Sequence, residues 1–163
     1  MINFKKHLYW FLAPAILIAG TDAWLKSYAL KHFPDEQLLV DPQFLQFAVH
    51  KNWGLAFNIP FRREFILLFS LVIGYFLVEM IVKNYKSHAR IAFSSAFILI
   101  GAVGNVFDRA YHGFTVDYLI FFGRSALNLS DFLIIVGVVL LLVSSRRSLA
   151  EEIVETTIDK FKK

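Results

Sequence analysis

The sequence has no cysteine, and for a chain of 163 residues it carries few charges. Without cysteine the chain forms no disulfide, binds no metal through thiolate and has no cysteine nucleophile. Only 18% of the residues are charged, whereas a soluble domain averages about 25%. This composition excludes a disordered chain and most soluble enzymes. It also excludes a nucleic-acid-binding domain, although Lys and Arg outnumber Asp and Glu by 17 to 13.

Apolar side chains are abundant instead, since 57% of the residues are hydrophobic and 18 of them are Phe. Four stretches are nearly free of charge, and a helix needs roughly 20 residues to cross the hydrocarbon of a bilayer. Between them there is no long linker, low-complexity tract or repeat. We therefore predict a single integral membrane domain over residues 1–163, an all-α membrane protein with four transmembrane helices. The predicted spans are residues 8–28, 65–82, 91–108 and 125–145.

The distribution of Lys and Arg predicts the orientation. An even number of spans places both termini on one side, and that side carries more basic residues in a shorter length of chain. The positive-inside rule then predicts cytoplasmic termini and a cytoplasmic tail over residues 146–163. The loops 29–64 and 109–124 face outward, where strand-like composition and turn signals predict a small extracytoplasmic β-sheet and loop subdomain. The strand-like segments are residues 38–40, 44–50, 55–59 and 114–122.

Four acidic residues lie in or against the outer half of the predicted spans or between them. A charge near the bilayer centre costs about 2.5–3.5 kcal/mol on insertion scales, so each of these acids is expected to have a polar partner or a function. Helical spacing places Asp22 with Lys26 at i, i+4 in a favourable orientation, and it is also typical of a structural ion pair. These acids are Asp22, Asp108, Asp117 and Asp131.

Polar partners share helix faces with these acids. Asn105, Asp108 and Arg109 project from one face of the third span, although Asp108 and Arg109 could also form a plain helix-end pair. Asn128 lies three residues before Asp131, which we expect four to six residues into the fourth span, roughly 6–9 Å along its axis. All these groups are therefore expected at one depth, near the outer boundary of the membrane.

The residue types narrow the chemistry of this predicted site. No histidine lies inside a span, which disfavours a histidine-based metal site, and Ser130 has no histidine at helical spacing for a catalytic triad. Two aspartates held close share one proton, so that one acts on a water and the other polarises a carbonyl. Asp117 and Asp131 are the natural couple, and peptide hydrolysis is the leading hypothesis. A proton relay in a small transporter stays an alternative, because carboxylates within the membrane also form the proton relays of transporters.

Four motifs occur in order along nearly the whole chain. They are D-x-x-x-K from Asp22 to Lys26, N-x-G-x-A-F from Asn52 to Phe57, G-N-x-x-D-R from Gly104 to Arg109 with V-D-Y from Val116 to Tyr118, and Leu127-Asn128-Leu129-Ser130-Asp131. In this order and spacing they resemble the motifs of the lipoprotein signal peptidases (signal peptidase II), which are bacterial inner-membrane aspartic proteases.

The resemblance implies an activity and a role for each motif residue. The substrate would be a diacylglyceryl-modified prolipoprotein, cut just before its lipidated Cys, with membrane lipids around the enzyme and globomycin-type inhibitors expected. It implies a site that needs no metal or organic cofactor, at the outer face of the bacterial cytoplasmic (inner) membrane. The implied roles are catalysis for Asp117 and Asp131, site-shaping and substrate binding for Asn52, Gly54, Asn105, Asp108, Arg109 and Asn128, and structural support for Asp22 and Lys26.

The last motif departs from the family pattern F-N-x-A-D at two positions. Leu127 replaces an aromatic residue, which would widen the pocket and affect substrate preference. Ser130 replaces a small apolar residue, and we expect its hydroxyl to bond a backbone carbonyl one turn back, or else Asp131. A degenerate motif would also fit a non-catalytic paralogue that binds lipoproteins.

Overall fold

The chain forms four helices and three strands in the computed structural model, which describes residues 4–36, 43–55 and 59–161. The predicted strand at 38–40 lies outside the described residues, as do residues 56–58 of the predicted strand at 55–59. In chain order the elements are α1 (Phe4–His32), β1 (Leu45–Asn52), α2 (Arg63–Asn84), α3 (Ala89–Tyr111), β2 (Thr115–Phe121), β3 (Ser125–Leu127) and α4 (Leu129–Phe161).

Three helices within the described residues are long and apolar enough to cross a membrane. They are Arg63–Asn84, Ala89–Tyr111 and Leu129–Arg147. The α1 helix is not among them, and its second half carries Asp22 and Lys26 within one turn of each other. The mostly helical membrane fold with a small sheet is thus confirmed, while the span predicted at residues 8–28 stays a prediction.

The α3 helix is central, because it packs against α1, α2 and α4. Two glycines let α3 and α4 come into backbone contact. A Cβ on Gly101 would lie 2.8 Å from the carbonyl oxygen of Ser130, and one on Gly137 would lie 2.8 Å from the amide nitrogen of Ile98. Small residues commonly allow such close approach of helices in membranes.

The three strands form one antiparallel sheet in the order β1-β2-β3. It confirms the strands predicted at 44–50 and 114–122, which the structure places at Leu45–Asn52 and Thr115–Phe121. Because side chains alternate along a strand, Tyr118 and Asp117 point to opposite faces of the sheet. Tyr118 packs with Ala29 in a hydrophobic cluster against α1. Asp117 lies on the other face, in register with His50 of β1.

The start of the fourth span was predicted wrongly. We predicted the span from Ser125, but Ser125–Leu127 is a strand and the helix begins at Leu129. Asp131 therefore lies in the first helical turn rather than four to six residues inside the helix. The β2–β3 hairpin explains the shift, since β3 pairs with Leu119–Phe121 and leaves no residue before Asn128 free to be helical.

Candidate active site

Asn128 and Asp131 together cap the N-terminus of α4. The backbone N–H of Asp131 donates to Asn128 Oδ1 at 3.0 Å, and the backbone N–H of Asn128 donates to Asp131 Oδ2 at 3.0 Å. This reciprocal arrangement is a capping box, which satisfies two backbone donors that a helix end leaves unpaired. The helix start thus fixes the position of the Asp131 carboxyl group.

Asp117 reaches the same place from β2, and its side chain is buried. Asn128 Nδ2 donates to Asp117 Oδ1 at 2.6 Å, and Asn52 Nδ2 donates to Asp117 Oδ2 at 3.2 Å. Burial and, to a smaller extent, the charge of Asp131 raise the pKa of Asp117, the two amide hydrogen bonds oppose them, and the resulting pKa is about 7. Asp117 therefore retains its proton up to about pH 7.

Asn105, on α3, also binds the carboxyl group of Asp131. Its Nδ2 donates to Asp131 Oδ1 at 2.8 Å, while its Oδ1 accepts from Lys26 Nζ at 2.7 Å and from Asn128 Nδ2 at 3.2 Å. Both carboxyl groups are thus held by asparagine amides and, for Asp131, a backbone N–H. Each carboxyl group is linked to the other through Asn128.

A second pair of acids lies beside the first and is held by a cation. Lys26 Nζ lies 3.0 Å from Asp22 Oδ2 and 2.9 Å from Asp108 Oδ2, and all three side chains are buried. The i, i+4 contact on α1 is thus present. Asp108 pairs with Lys26 rather than with Arg109, and it also accepts the backbone N–H of Val116 at 3.2 Å.

Asp22 connects three elements through its remaining contacts. Tyr118 Oη donates to Asp22 Oδ1 at 2.8 Å, the backbone N–H of Leu129 donates to Oδ1 at 2.9 Å, and Ser130 Oγ donates to Oδ2 at 2.7 Å. Burial raises the pKa of the Tyr118 hydroxyl, which keeps it a donor. The fully buried Asp22 therefore binds β2 and the first turn of α4 to α1.

Our prediction for Ser130 was wrong. Its hydroxyl bonds neither Asp131 nor a carbonyl one turn back, but the carboxylate of Asp22 on another helix. The physical reason is its place in the first turn of α4, where the residue four positions back is in β3 rather than in the helix. Asp22 offers a charged acceptor at that point, and hydrogen bonds to charged acceptors are the stronger kind.

The turn after β1 brings Asn52 and Gly54 into the same network. The backbone N–H of Gly54 donates to Asn52 Oδ1 at 3.1 Å, and this contact orients the Asn52 amide so that its Nδ2 donates to Asp117. Arg109 donates to the carbonyl oxygen of Gly54 at 3.2 Å and to that of Asn105 at 3.4 Å. Among the described residues, Arg109 Nε is buried and has no hydrogen-bond partner.

The structure therefore joins every residue of the predicted site in one hydrogen-bonded network. Two further residues, Tyr118 and His50, contact this network but were not predicted from the sequence to belong to the site. Tyr118 lies in the V-D-Y motif, but its bond to Asp22 spans 96 positions. His50 lies opposite Asp117 in the sheet, and its Nδ1 is 2.6 Å from Glu36 Oε1. When it is protonated, His50 lowers the pKa of Asp117. The alternation of His50 and Asn52 along one strand is the signal that could have found it.

Comparisons with known proteins agree on one family. The family model for signal peptidase (SPase) II matches residues 14–147. A lipoprotein signal peptidase of Neisseria gonorrhoeae is 33% identical, over 83% of this chain and 87% of the relative. One of Buchnera aphidicola is 30% identical, over 85% of this chain and 95% of the relative.

The fold also matches that of a solved bacterial membrane enzyme with a TM-score of 0.71, over 86% of this chain and 92% of that one at 22% identity. With a matching family model over most of its length and relatives at 30% identity or more, the chain belongs to the signal peptidase II family.

Proposed function

We propose that the chain is an aspartic endopeptidase that removes the signal peptide from diacylglyceryl-modified prolipoproteins, just before the lipidated Cys. Family membership supports a peptidase that cleaves prolipoprotein signal peptides. The aspartic mechanism rests on one observation, which is that Asp117 and Asp131 are both hydrogen-bonded to Asn128. Two carboxyl groups so close share a proton, as in other aspartic proteases.

The two aspartates take different parts in the reaction. Asp117 holds the shared proton, because its pKa is about 7, and donates a hydrogen bond to the scissile carbonyl oxygen. Asp131 accepts a proton from a water, whose oxygen attacks the carbonyl carbon. When the C–N bond breaks, Asp131 returns that proton to the leaving nitrogen. The dyad therefore ends in the protonation state in which it began.

The neighbouring polar groups hold the substrate and the dyad in place. Asn105 and Asn128 orient the two carboxyl groups through their amides. The unpaired Nε of Arg109, together with the turn at Gly54, supplies donors and acceptors for the extended backbone of the substrate near the scissile bond. Asp108, Asp22 and Lys26 support these residues from behind. This chemistry needs no metal and no organic cofactor.

The membrane arrangement belongs to the same proposal. The chain spans the bacterial cytoplasmic membrane four times with both termini in the cytoplasm. The α1 helix is one of these spans, because Asp22 and Lys26 in its second half are buried in protein. The dyad then lies at the outer leaflet, in the first turn of α4 and beside the sheet. The diacylglyceryl group of the substrate remains in the bilayer and holds the scissile bond at this depth. Globomycin-type cyclic peptides are expected to compete for the site.

Separate Asp117→Asn and Asp131→Asn variants test the proposal in a prolipoprotein processing assay. Each is expected to lower the rate by about 10²–10⁴-fold, the usual contribution of acid–base groups, with an unchanged fold by circular dichroism. Glu64→Gln, an exposed acid in the first turn of α2, is the matched control and retains the parental rate. Parental processing in either aspartate variant would reject the dyad. A parent that binds prolipoprotein without cutting it would instead be a lipoprotein-binding paralogue.

A further inference from the structure

A groove of about 560 Å³ runs between α1 and α3, and the catalytic mechanism above does not use it. Small side chains of both helices line it, together with larger apolar side chains of α3. Its apolar lining includes Ala19, Ala23, Ile100, Val103, Gly104 and Phe107. At the end nearer the sheet it is lined by Lys31 and His112, just beyond the candidate span Ala89–Tyr111.

The dimensions of the groove limit what it can bind. From Ala19 to Lys31 a helix rises about 18 Å, which is close to one leaflet of a roughly 30 Å hydrocarbon core plus the start of the headgroup region. A single extended hydrocarbon chain matches this length, and the apolar lining of the groove suits it.

The charge at the end of the groove selects a headgroup. Lys31 is exposed, and it forms no ion pair with any residue that the structure describes. A lysine at headgroup depth attracts anionic lipid by about 1 kcal/mol. His112 lies next to the same end and adds a hydrogen-bond donor for a phosphate oxygen.

We propose that this groove binds one anionic phospholipid, with an acyl chain along Ala19, Ala23 and Val103 and its phosphate at Lys31 and His112. Lys26 and Asp108 line the groove as well, so the acyl chain would lie against the buried ion pair that supports the dyad.

Native mass spectrometry of the full chain, released from bilayers of equal phosphatidylglycerol and phosphatidylcholine, tests the proposal. The parent is expected to retain one lipid, with phosphatidylglycerol preferred. Lys31→Gln should lower that preference about fivefold, the equivalent of about 1 kcal/mol. Arg62→Gln removes an equivalent exposed charge at the start of α2, outside the groove, and should leave the preference unchanged.

A second variant tests the hydrocarbon part of the groove. Ala23→Leu narrows it at an exposed position and should lower retention of both lipids, with the fold checked by thermal unfolding. The proposal is overturned if Lys31→Gln and Arg62→Gln lower the preference equally, which would mean only a shell of annular lipid. Unchanged retention in Ala23→Leu would overturn it as well, by placing the retained lipid elsewhere. No prolipoprotein is present, so these outcomes are independent of the proposed peptidase activity.

Discussion

Two pairs of buried aspartates lie side by side in this protein, and they differ in what holds them. Asp22 and Asp108 each contact the ammonium group of Lys26, at 3.0 and 2.9 Å. Asp117 and Asp131 accept hydrogen bonds only from amide groups among the described residues. A full cation compensates a buried carboxylate charge, whereas neutral donors compensate it only in part. The same residue type is thus suited to structural support in one pair and to proton transfer in the other.

Asn105 connects the two pairs through hydrogen bonds of its amide group. Its Oδ1 accepts from Lys26 and its Nδ2 donates to Asp131. An amide side chain has no proton that titrates in water, so Asn105 holds the two pairs in position and carries no proton between them.

Removing the Lys26 ammonium group is the strongest test of this difference between the two aspartate pairs. Lys26→Met leaves two buried carboxylates without compensation, and we expect a loss of about 3–5 kcal/mol in the free energy of unfolding. Thermal unfolding in detergent measures it. Lys83→Met is the matched control, because Lys83 also pairs with an acid at i, i+4 but lies on an exposed surface. Equal melting temperatures for the two variants would show that burial does not distinguish these pairs.

Replacing Asp117 of the reactive pair should stabilise the protein at neutral pH, whereas the replacement of Lys26 destabilises it. The pKa of Asp117 rises from 3.8 to about 7 on folding, so the folded state binds a proton that the unfolded state has lost between these values. Stability of the parent therefore falls as pH rises from about 4 to 7, by up to about 4 kcal/mol, and Asp117→Asn abolishes this loss. The difference in melting temperature between variant and parent should thus shift in favour of the variant from pH 4 to pH 8. An equal difference at both pH values would contradict the raised pKa.

The same proton sets the alkaline limit of the reaction. Above about pH 7 Asp117 loses the proton that polarises the carbonyl, and the processing rate should fall about tenfold per pH unit. His50→Gln removes a side chain that lowers the pKa of Asp117 when it is protonated, so it should move this limit to higher pH. Initial rates between pH 5 and 9 measure both effects. A limit that stays in place in His50→Gln would exclude this electrostatic influence.

The smallest expected effect concerns the donors to Asp22. Ser130→Ala removes one of its hydrogen bonds and leaves those from Tyr118 and Leu129, so we expect a loss of about 1.5–3 kcal/mol in unfolding free energy. Ser95→Ala is the control, because that buried hydroxyl bonds only a neutral carbonyl in its own helix. An equal loss in both variants would mean that the charge of Asp22 adds nothing to the bond.

Contacts within one element were predictable from the sequence, and contacts between elements were not. Spacing alone predicted Asp22 with Lys26, because a helix places positions four apart side by side. No local rule brings Asp108 to Lys26 or Ser130 to Asp22, since both depend on how α1 packs against its neighbours. The start of α4 was predictable in retrospect, because Asn128 followed three residues later by Asp131 resembles a capping box.

The backbone contact at Gly101 and Gly137 has a consequence for how this sequence can diverge. At exposed apolar positions of the candidate span Arg63–Asn84, such as Leu71 and Val82, one apolar side chain can replace another with little effect, because most of their surface contacts no other residue. At the two glycines even a methyl group would separate α3 from α4, and the separation would carry Asn105 away from Asp131. Gly101 and Gly137 have no polar side chain and take no part in the chemistry, yet they are among the positions that tolerate substitution least.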